Sequence, residues 1–216
     1  TDCDRGYPIY ADPDEYDGPC DAIIDFSNPA ALSKILSYAK KRKLPAVIAT
    51  TGLSDEQIKD IEKASEEIPI FRSANMSLGV NLLVELVKKA TEVLYNNFDV
   101  EIIEKHHNLK VDAPSGTALM LADAVNEAAD STYNYVYDRH SVRKKRDKKE
   151  LGIHSIRGGT IVGDHDVIFA GNDEIITLSH TATSKKVFAE GAIKAVQHIV
   201  GCKPGIYDMK SVINFK

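Results

Sequence analysis

The chain has 216 residues, with 27 Lys and Arg against 32 Asp and Glu for a formal net charge of −5, and is 43 % hydrophobic and 27 % charged. This mildly acidic, ordinary globular mix excludes global disorder, and it lacks the field that draws a protein to nucleic acid or to an anionic membrane. No apolar stretch approaches the roughly 18 residues of a membrane span, and no hydrophobic leader is visible, so a cytoplasmic protein is expected, with neither membrane nor nucleic acid as partner. Cys3, Cys20 and Cys202 are odd in number and scattered, which points to reduced thiols and to no zinc site.

The first third alternates strand and helix signals. Ala22 to Phe26 is a short apolar run and reads as a buried strand. Ser27-Asn28-Pro29 supplies an N-cap and a proline for the helix that carries Leu32, Ile35, Leu36 and Ala39. The basic run Lys40 to Lys43 suits the end of that helix and reads as a solvated terminus. Ala46 to Ala49 reads as a second strand, running into Thr50-Thr51-Gly52, and Ser54 with Gln57 forms a capping box for a helix carrying Ile58, Ile61 and Ala64. Ile68 to Phe71 begins a third strand. Strands joined by helices of this length predict a parallel sheet whose strand-end loops line one crevice: Phe26-Ser27-Asn28, Thr50-Thr51-Gly52 and Ala74-Asn75-Met76.

The pattern then changes. Val80, Leu83, Leu86, Val87, Ala90 and Leu94 predict an amphipathic helix, and Val100 to Lys105 a strand. A polar loop from His107 to Gly116 leads into a helix with Ala118, Leu121, Ala122 and Val125. The charged stretch Asp138 to Glu150 reads as a solvated loop or helix end. Strands are expected at Ile153 to Ile156, Thr160 to Val162, Val167 to Phe169 and Ile175 to Leu178, with Gly158-Gly159 and Gly171-Asn172 as turns of antiparallel type. A last helix carries Val187, Phe188, Ala192, Ala195 and Ile199.

One segment concentrates chemistry: Glu104-Lys105-His106-His107-Asn108-Leu109-Lys110-Val111-Asp112-Ala113-Pro114-Ser115-Gly116-Thr117. Two His, a Lys and an Asp follow a strand end, and the loop closes into a helix. The first N–H groups of that helix, at Gly116 and Thr117, suit a carboxylate or phosphate, with Lys110 adding positive charge. His106 and His107 point to opposite sides of an extended strand, one able to handle a proton and the other to contact a ligand. Asp112 is suited to bonding the loop backbone, and Ser115 reads as an N-cap. Adjacent histidines on a strand chelate one ion poorly, and no third ligand stands at a metal spacing. The residues alone thus describe an anion-binding, proton-handling site beside a nucleotide-type sheet.

The run from Glu104 to Ala118 resembles the Glu-x-His-His-x-x-Lys-x-Asp-x-Pro-Ser-Gly-Thr-Ala signature of the 4-hydroxy-tetrahydrodipicolinate reductases, also called dihydrodipicolinate reductases. The likeness extends to Asp25-Phe26-Ser27, Thr50-Thr51-Gly52, Ala74-Asn75-Met76-Ser77, Arg157-Gly158-Gly159, Val162-Gly163-Asp164-His165, His180, Phe188-Ala189 and Gly205 to Met209. It implies an α/β Rossmann-like nucleotide-binding domain, incomplete at its N-terminus, from residues 1–76 and 185–216. A second, α+β domain for substrate and oligomerisation follows at 77–184, with a mixed, mostly antiparallel sheet that builds a homotetramer. The implied reaction is hydride transfer from NADH or NADPH to a cyclic unsaturated dicarboxylate in lysine and diaminopimelate synthesis. By the same resemblance His106 is the acid/base group and Lys110 the proton donor. His107, Ser115, Gly116 and Thr117 contact the substrate carboxylates. Asp4, Arg5, Ala49, Thr50, Thr51, Ser73, Ala74, Asn75 and Met76 contact the cofactor, Asp4 and Arg5 standing where an acid and an Arg meet the adenosine ribose.

Three departures stand against the pattern. The opening strand and Gly-rich turn, a βαβ start of roughly 30 residues, are absent, and residue 1 is Thr, so a truncated chain is expected. The alternative this raises is a form that keeps dicarboxylate binding and assembly but not cofactor-dependent activity. Lys185-Lys186 replaces a Ser-Arg pair, and Ala49 stands where relatives carry Gly. Other two-domain dehydrogenases, of aspartate or homoserine type, lack the His-His-x-x-Lys loop.

Overall fold

The computed structural model describes residues 6–213, so Cys3, Asp4 and Arg5 lie outside the described residues. The chain divides into two compact units: the described residues up to Met76 with those from Phe188 onward, and Ser77–Val187. Among the described residues no helix is long and apolar enough to cross a membrane.

The first unit is built on a four-stranded sheet in the order β1-β2-β3-β9: β1 (Ile23–Asp25), β2 (Ala46–Ile48), β3 (Pro69–Arg72) and β9 (Gly205–Tyr207), every pair parallel. Ala46, Val47, Ile48, Ile70 and Phe71 are all buried, which is why these strands read as unbroken apolar runs. Helices α1 (Leu32–Arg42) and α2 (Asp55–Ser65) pack Leu32, Leu36, Ala39, Ile61 and Ala64 into that core. Asn28 caps a short 3-10 turn at Pro29–Ala31 ahead of α1, and the Ser54–Gln57 capping box is formed in full. The basic terminus of α1 is more than a solvated end. Arg42 lies over the rings of Tyr16 and Tyr38 and donates to the carbonyls of Tyr16 and Gly18, fastening the chain before β1. Strand β9 carries no signal of its own: it starts on the glycine of Pro204-Gly205, is too short to alternate, and only pairing with β3 makes it a strand. Met76 is buried, and Gly191 of α5 (Lys186–Ile199) comes so close that a Cβ there would sit 1.7 Å from the Met76 carbonyl oxygen.

The second unit has a five-stranded sheet in the order β5-β6-β4-β7-β8: β4 (Asp99–His106), β5 (Asn134–Val136), β6 (Glu150–Arg157), β7 (Gly163–Ala170) and β8 (Ile175–Ala182). Helices α3 (Leu78–Leu94) and α4 (Gly116–Ala128) supply Leu83, Val87, Leu121 and Val125 to a core shared with Val100, Ile102, Leu151, Ile153, Val167 and Phe169. The sheet is mixed, as expected. The pairs β4–β6 and β5–β6 are parallel and β4–β7 and β7–β8 antiparallel, and the antiparallel pairs hold 15 of the 25 paired positions. Gly171-Asn172 does turn a hairpin between β7 and β8. Gly158-Gly159 does not: the chain must pass the end of β4 to reach its far edge. Thr160 to Val162, expected as a strand, is therefore the connection. The charged stretch from Asp138 is a loop, as expected, but not a merely solvated one. Arg146 donates to Asp99, Glu101 and the Val100 carbonyl, while Arg139 and Lys144 pair with the buried Glu150.

Candidate functional site

In the first unit the loops at the carboxyl ends of β1, β2 and β3 meet. Asp25, 3 % exposed, accepts from the Ser27 N–H at 2.9 Å, from Ser27 Oγ at 2.6 Å and from Thr50 Oγ1 at 2.8 Å, tying the first two loops together. Ser73 Oγ donates to the Asn75 carbonyl and accepts from its N–H, which curls the third loop. Thr50, Thr51, Gly52, Ser73 and Ala74 line a cavity of about 130 Å³ together with Leu53 and Arg72. Gly52 turns there at φ 73°, where a side chain would strain the backbone. Of the residues expected around a cofactor, Thr51 and Ala74 are exposed, while Ala49 and Thr50 are buried. The Met76 side chain is buried in the core. Arg72 carries no sequence signal, because a lone Arg at a strand end belongs to no motif.

In the second unit the signature folds around β4. The two-residue period of a strand puts Glu104 and His106 on one face. In register, β6 sets Ser155 beside Glu104 and Arg157 beside His106, and β7 sets His165 against Glu104. The Glu104 carboxylate is fully buried. Arg157 grips it with both terminal nitrogens at 2.8 Å, the Ser115 N–H donates at 3.1 Å, and His106 Nδ1 lies 2.6 Å away. Burial alone would raise the Glu104 pKa, but the hydrogen bonds from Arg157, Ser155 and His106 outweigh it and hold the group at about 2. The same guanidinium donates to the Asp112 carbonyl at 2.6 Å, fixing the loop that returns toward α4.

Ser115 is the N-cap of α4, accepting from the Ala118 N–H at 3.1 Å, and its Oγ lies 2.9 Å from His165 Nε2. Buried, the Ser115 side chain bonds both the first turn of α4 and His165 and so braces the start of the helix. His165 is buried against the edge of the His106 ring, with centroids 5.2 Å apart. Burial first, and then the neighbouring His106 charge, hold its pKa down at about 4. Gly116 is exposed, and a Cβ there would meet nothing within 4 Å, so the start of α4 is open at that point. Lys110 Nζ lies 2.8 Å from the Asp112 carboxylate. Asp112 thus serves the loop through its backbone carbonyl, while its side chain pairs with Lys110 and also accepts from a backbone N–H of the loop. His107 follows β4 directly, half-buried, with Nδ1 unpartnered. Among the described residues no group of three or more His, Cys, Asp or Glu is placed to hold a metal.

The unit thus gathers His106, His107, Lys110 and the first turn of α4 around one loop. Sequence reasoning passed over Glu104, Arg157 and His165 as site residues. Glu104 was within reach, two residues before His106 on a strand; Arg157 and His165 are brought in only by strand register.

Residues 2–76 match a family model described as dihydrodipicolinate reductase, N-terminus, and residues 79–213 one described as dihydrodipicolinate reductase, C-terminus. A 4-hydroxy-tetrahydrodipicolinate reductase of Caldanaerobacter subterraneus subsp. tengcongensis is 55 % identical over 207 residues, 96 % of this chain and 82 % of the relative. One of Clostridium botulinum (strain Eklund 17B) is 51 % identical over 211 residues, 97 % of this chain and 83 % of the relative. Among solved structures, a dipicolinate-bound dihydrodipicolinate reductase from Paenisporosarcina sp. TG-14 superimposes with a TM-score of 0.73 at 25 % identity, covering 89 % of this chain and 73 % of that one.

Proposed function

The chain belongs to the dihydrodipicolinate reductase family, and from that premise we propose that its Glu104–Thr117 segment is where the substrate is protonated and held. The chain is an oxidoreductase that reduces 4-hydroxy-tetrahydrodipicolinate with a pyridine nucleotide. The pathway served is the one that makes lysine and diaminopimelate, in the cytoplasm. The division of labour follows the sequence reading, with residues 1–76 and 185–216 for the cofactor and 77–184 for substrate and assembly.

The strand-end loops of the first unit suit a nicotinamide: hydroxyls at Thr51 and Ser73, and a turn at Gly52 that lets a ring approach the backbone. Thr50 acts through Asp25, holding the loop in shape. Ala49, Ala74 and Asn75 complete that wall, and Asp4 and Arg5 take the ribose. When bound, the nucleotide supplies the hydride. The choice between NADH and NADPH falls to an assay with both.

Adding a hydride to a conjugated, cyclic substrate leaves electron density that must take up a proton. Lys110 donates that one proton, and His106, the acid/base group, exchanges protons at Nε2 to restore it. The two substrate carboxylates are anions in need of cations and N–H donors, which His107 and the Gly116–Thr117 turn of α4 supply. One observation supports this reading: an imidazole bonded on one nitrogen to a buried carboxylate, which also accepts from the Ser115 N–H at the start of α4, closes the strand that leads into the Lys110 loop. The face of the sheet away from α3 and α4 presents Ile103, Lys105, Asp166 and Ile168 at half-burial. We assign that face to assembly with copies of the chain as a homotetramer.

The test is oxidation of NADH or NADPH by the full chain with freshly generated substrate, with pyridine-2,6-dicarboxylate and its monoamide as competitors. Substrate-dependent oxidation, inhibited far more by the dicarboxylate, is the expected result. No oxidation with either nucleotide would leave only a binding and assembly role. Equal inhibition by both compounds would remove the anion site at α4.

A further inference from the structure

We propose that Glu104 is a positioning residue for the reaction: its carboxylate holds the His106 ring with the proton on Nδ1, which leaves Nε2, seated over Gly163, as the nitrogen that exchanges protons. The inference rests on the reading of His106 as the proton-handling group and names what aims it.

Three observations carry it. First, Glu104 is fully buried and ionised, so both oxygens only accept, and a ring nitrogen 2.6 Å from one of them must be the donor. Second, the carboxylate cannot turn. Arg157 holds it in a two-pronged grip, and the Ser115 N–H fixes Oε1. An acceptor fixed in this way sets both the tautomer and the plane of the imidazole, as an orienting carboxylate does for a base on other folds. Third, the opposite end of the ring has been given room. A Cβ on Gly163 would come within 2.9 Å of His106 Nε2, so only glycine lets the ring lie where Glu104 places it. The charged and titratable groups facing the ring are Glu104, Arg157 beyond it and the edge of His165.

A merely structural Glu104, present to hold Arg157 and through it the Asp112 loop, would act on substrate affinity and stability and leave the tautomer alone. The experiment is therefore nitrogen-15 NMR of the histidine-labelled full chain at alkaline pH, with His106 assigned by its loss in His106→Gln. A protonated Nδ1 and a bare Nε2 are expected. In Glu104→Gln the His106 signals should move toward the other tautomer, and kcat should fall ~10²-fold while pyridine-2,6-dicarboxylate binds within about threefold of normal. A wild-type ring protonated on Nε2 overturns the proposal. So does a Glu104→Gln enzyme with unchanged tautomer and kcat, or one whose loss lies in KM alone. Should Glu104→Gln not fold, Gly163→Ala displaces the ring with Glu104 and Arg157 intact: a fall in kcat with dicarboxylate binding retained is expected, and unchanged kcat overturns the proposal. If His106→Gln itself keeps near-normal kcat, the reading beneath fails. If His106→Gln is inactive and Glu104→Gln is not, the positioning role alone fails.

Discussion

Each unit buries a carboxylate near the carboxyl end of a strand, and the two are satisfied in opposite ways. Asp25, in the parallel sheet, accepts from one backbone N–H and two hydroxyls, all neutral. Glu104, in the mixed sheet, is gripped by a guanidinium and touches an imidazole. Both knit loops that leave their sheet: Asp25 joins the β1 and β2 loops, and Glu104 joins the start of α4 to the loop before it. Neutral donors are enough to shape a loop. In the second unit a guanidinium keeps the carboxylate ionised beside an imidazole. The same device is thus architectural in one unit and, on the reading proposed above, coupled to chemistry in the other.

The sharpest way to break this comparison is to remove the cation. Arg157→Leu leaves Glu104 buried without its counterion and releases the Asp112 carbonyl, and it should cost about 3–5 kcal/mol in urea unfolding, as for other broken buried pairs. A loss below about 1 kcal/mol would mean that the guanidinium is not what keeps Glu104 inside.

Acid should separate the units next. His165 titrates at about 4 in the folded chain against an ordinary 6.5. Between those values the unfolded state binds more protons, so stability is full above 6.5 and falls as the pH drops toward 4, by up to about 3 kcal/mol. Unfolding of wild type and His165→Gln at both ends of this window should give a flatter dependence in the variant; parallel slopes would refute the assignment.

Activity draws the third contrast. His106→Gln or Lys110→Ala should lower kcat by ~10² or more, with the melting temperature nearly unchanged. The Lys110–Asp112 pair is too exposed on its acid side to add much stability. A variant with near-normal kcat would take that residue out of the chemistry.

The smallest effect is expected at Asp25. Asp25→Asn keeps one oxygen for Ser27 and turns an amide toward the Thr50 hydroxyl, which can accept instead. The cost in unfolding should be about 1 kcal/mol. A loss matching that of Arg157→Leu would show that charge matters equally in both units and would erase the contrast.

The sequence by itself determined the elements whose signal is local. The Ser54–Gln57 box, the Asn28 cap, the continuous apolar runs of β2 and β3 and the capped start of α4 depend on residues within a turn or two of one another, and short-range chemistry suffices to write them. The signature from Glu104 to Ala118 likewise carried the family, and the fold with it. What only the tertiary structure decided depends on neighbours distant in the chain. Strand β9 exists because β3 offers it an edge, and Thr160 to Val162 is a connection because β4 lies between β6 and β7. Arg157 and His165 reach Glu104 from more than fifty residues away through strand register. A carboxylate written beside two histidines does not say which cation will neutralise it; that depends on which strands lie on either side once hydrogen bonding has ordered the sheet.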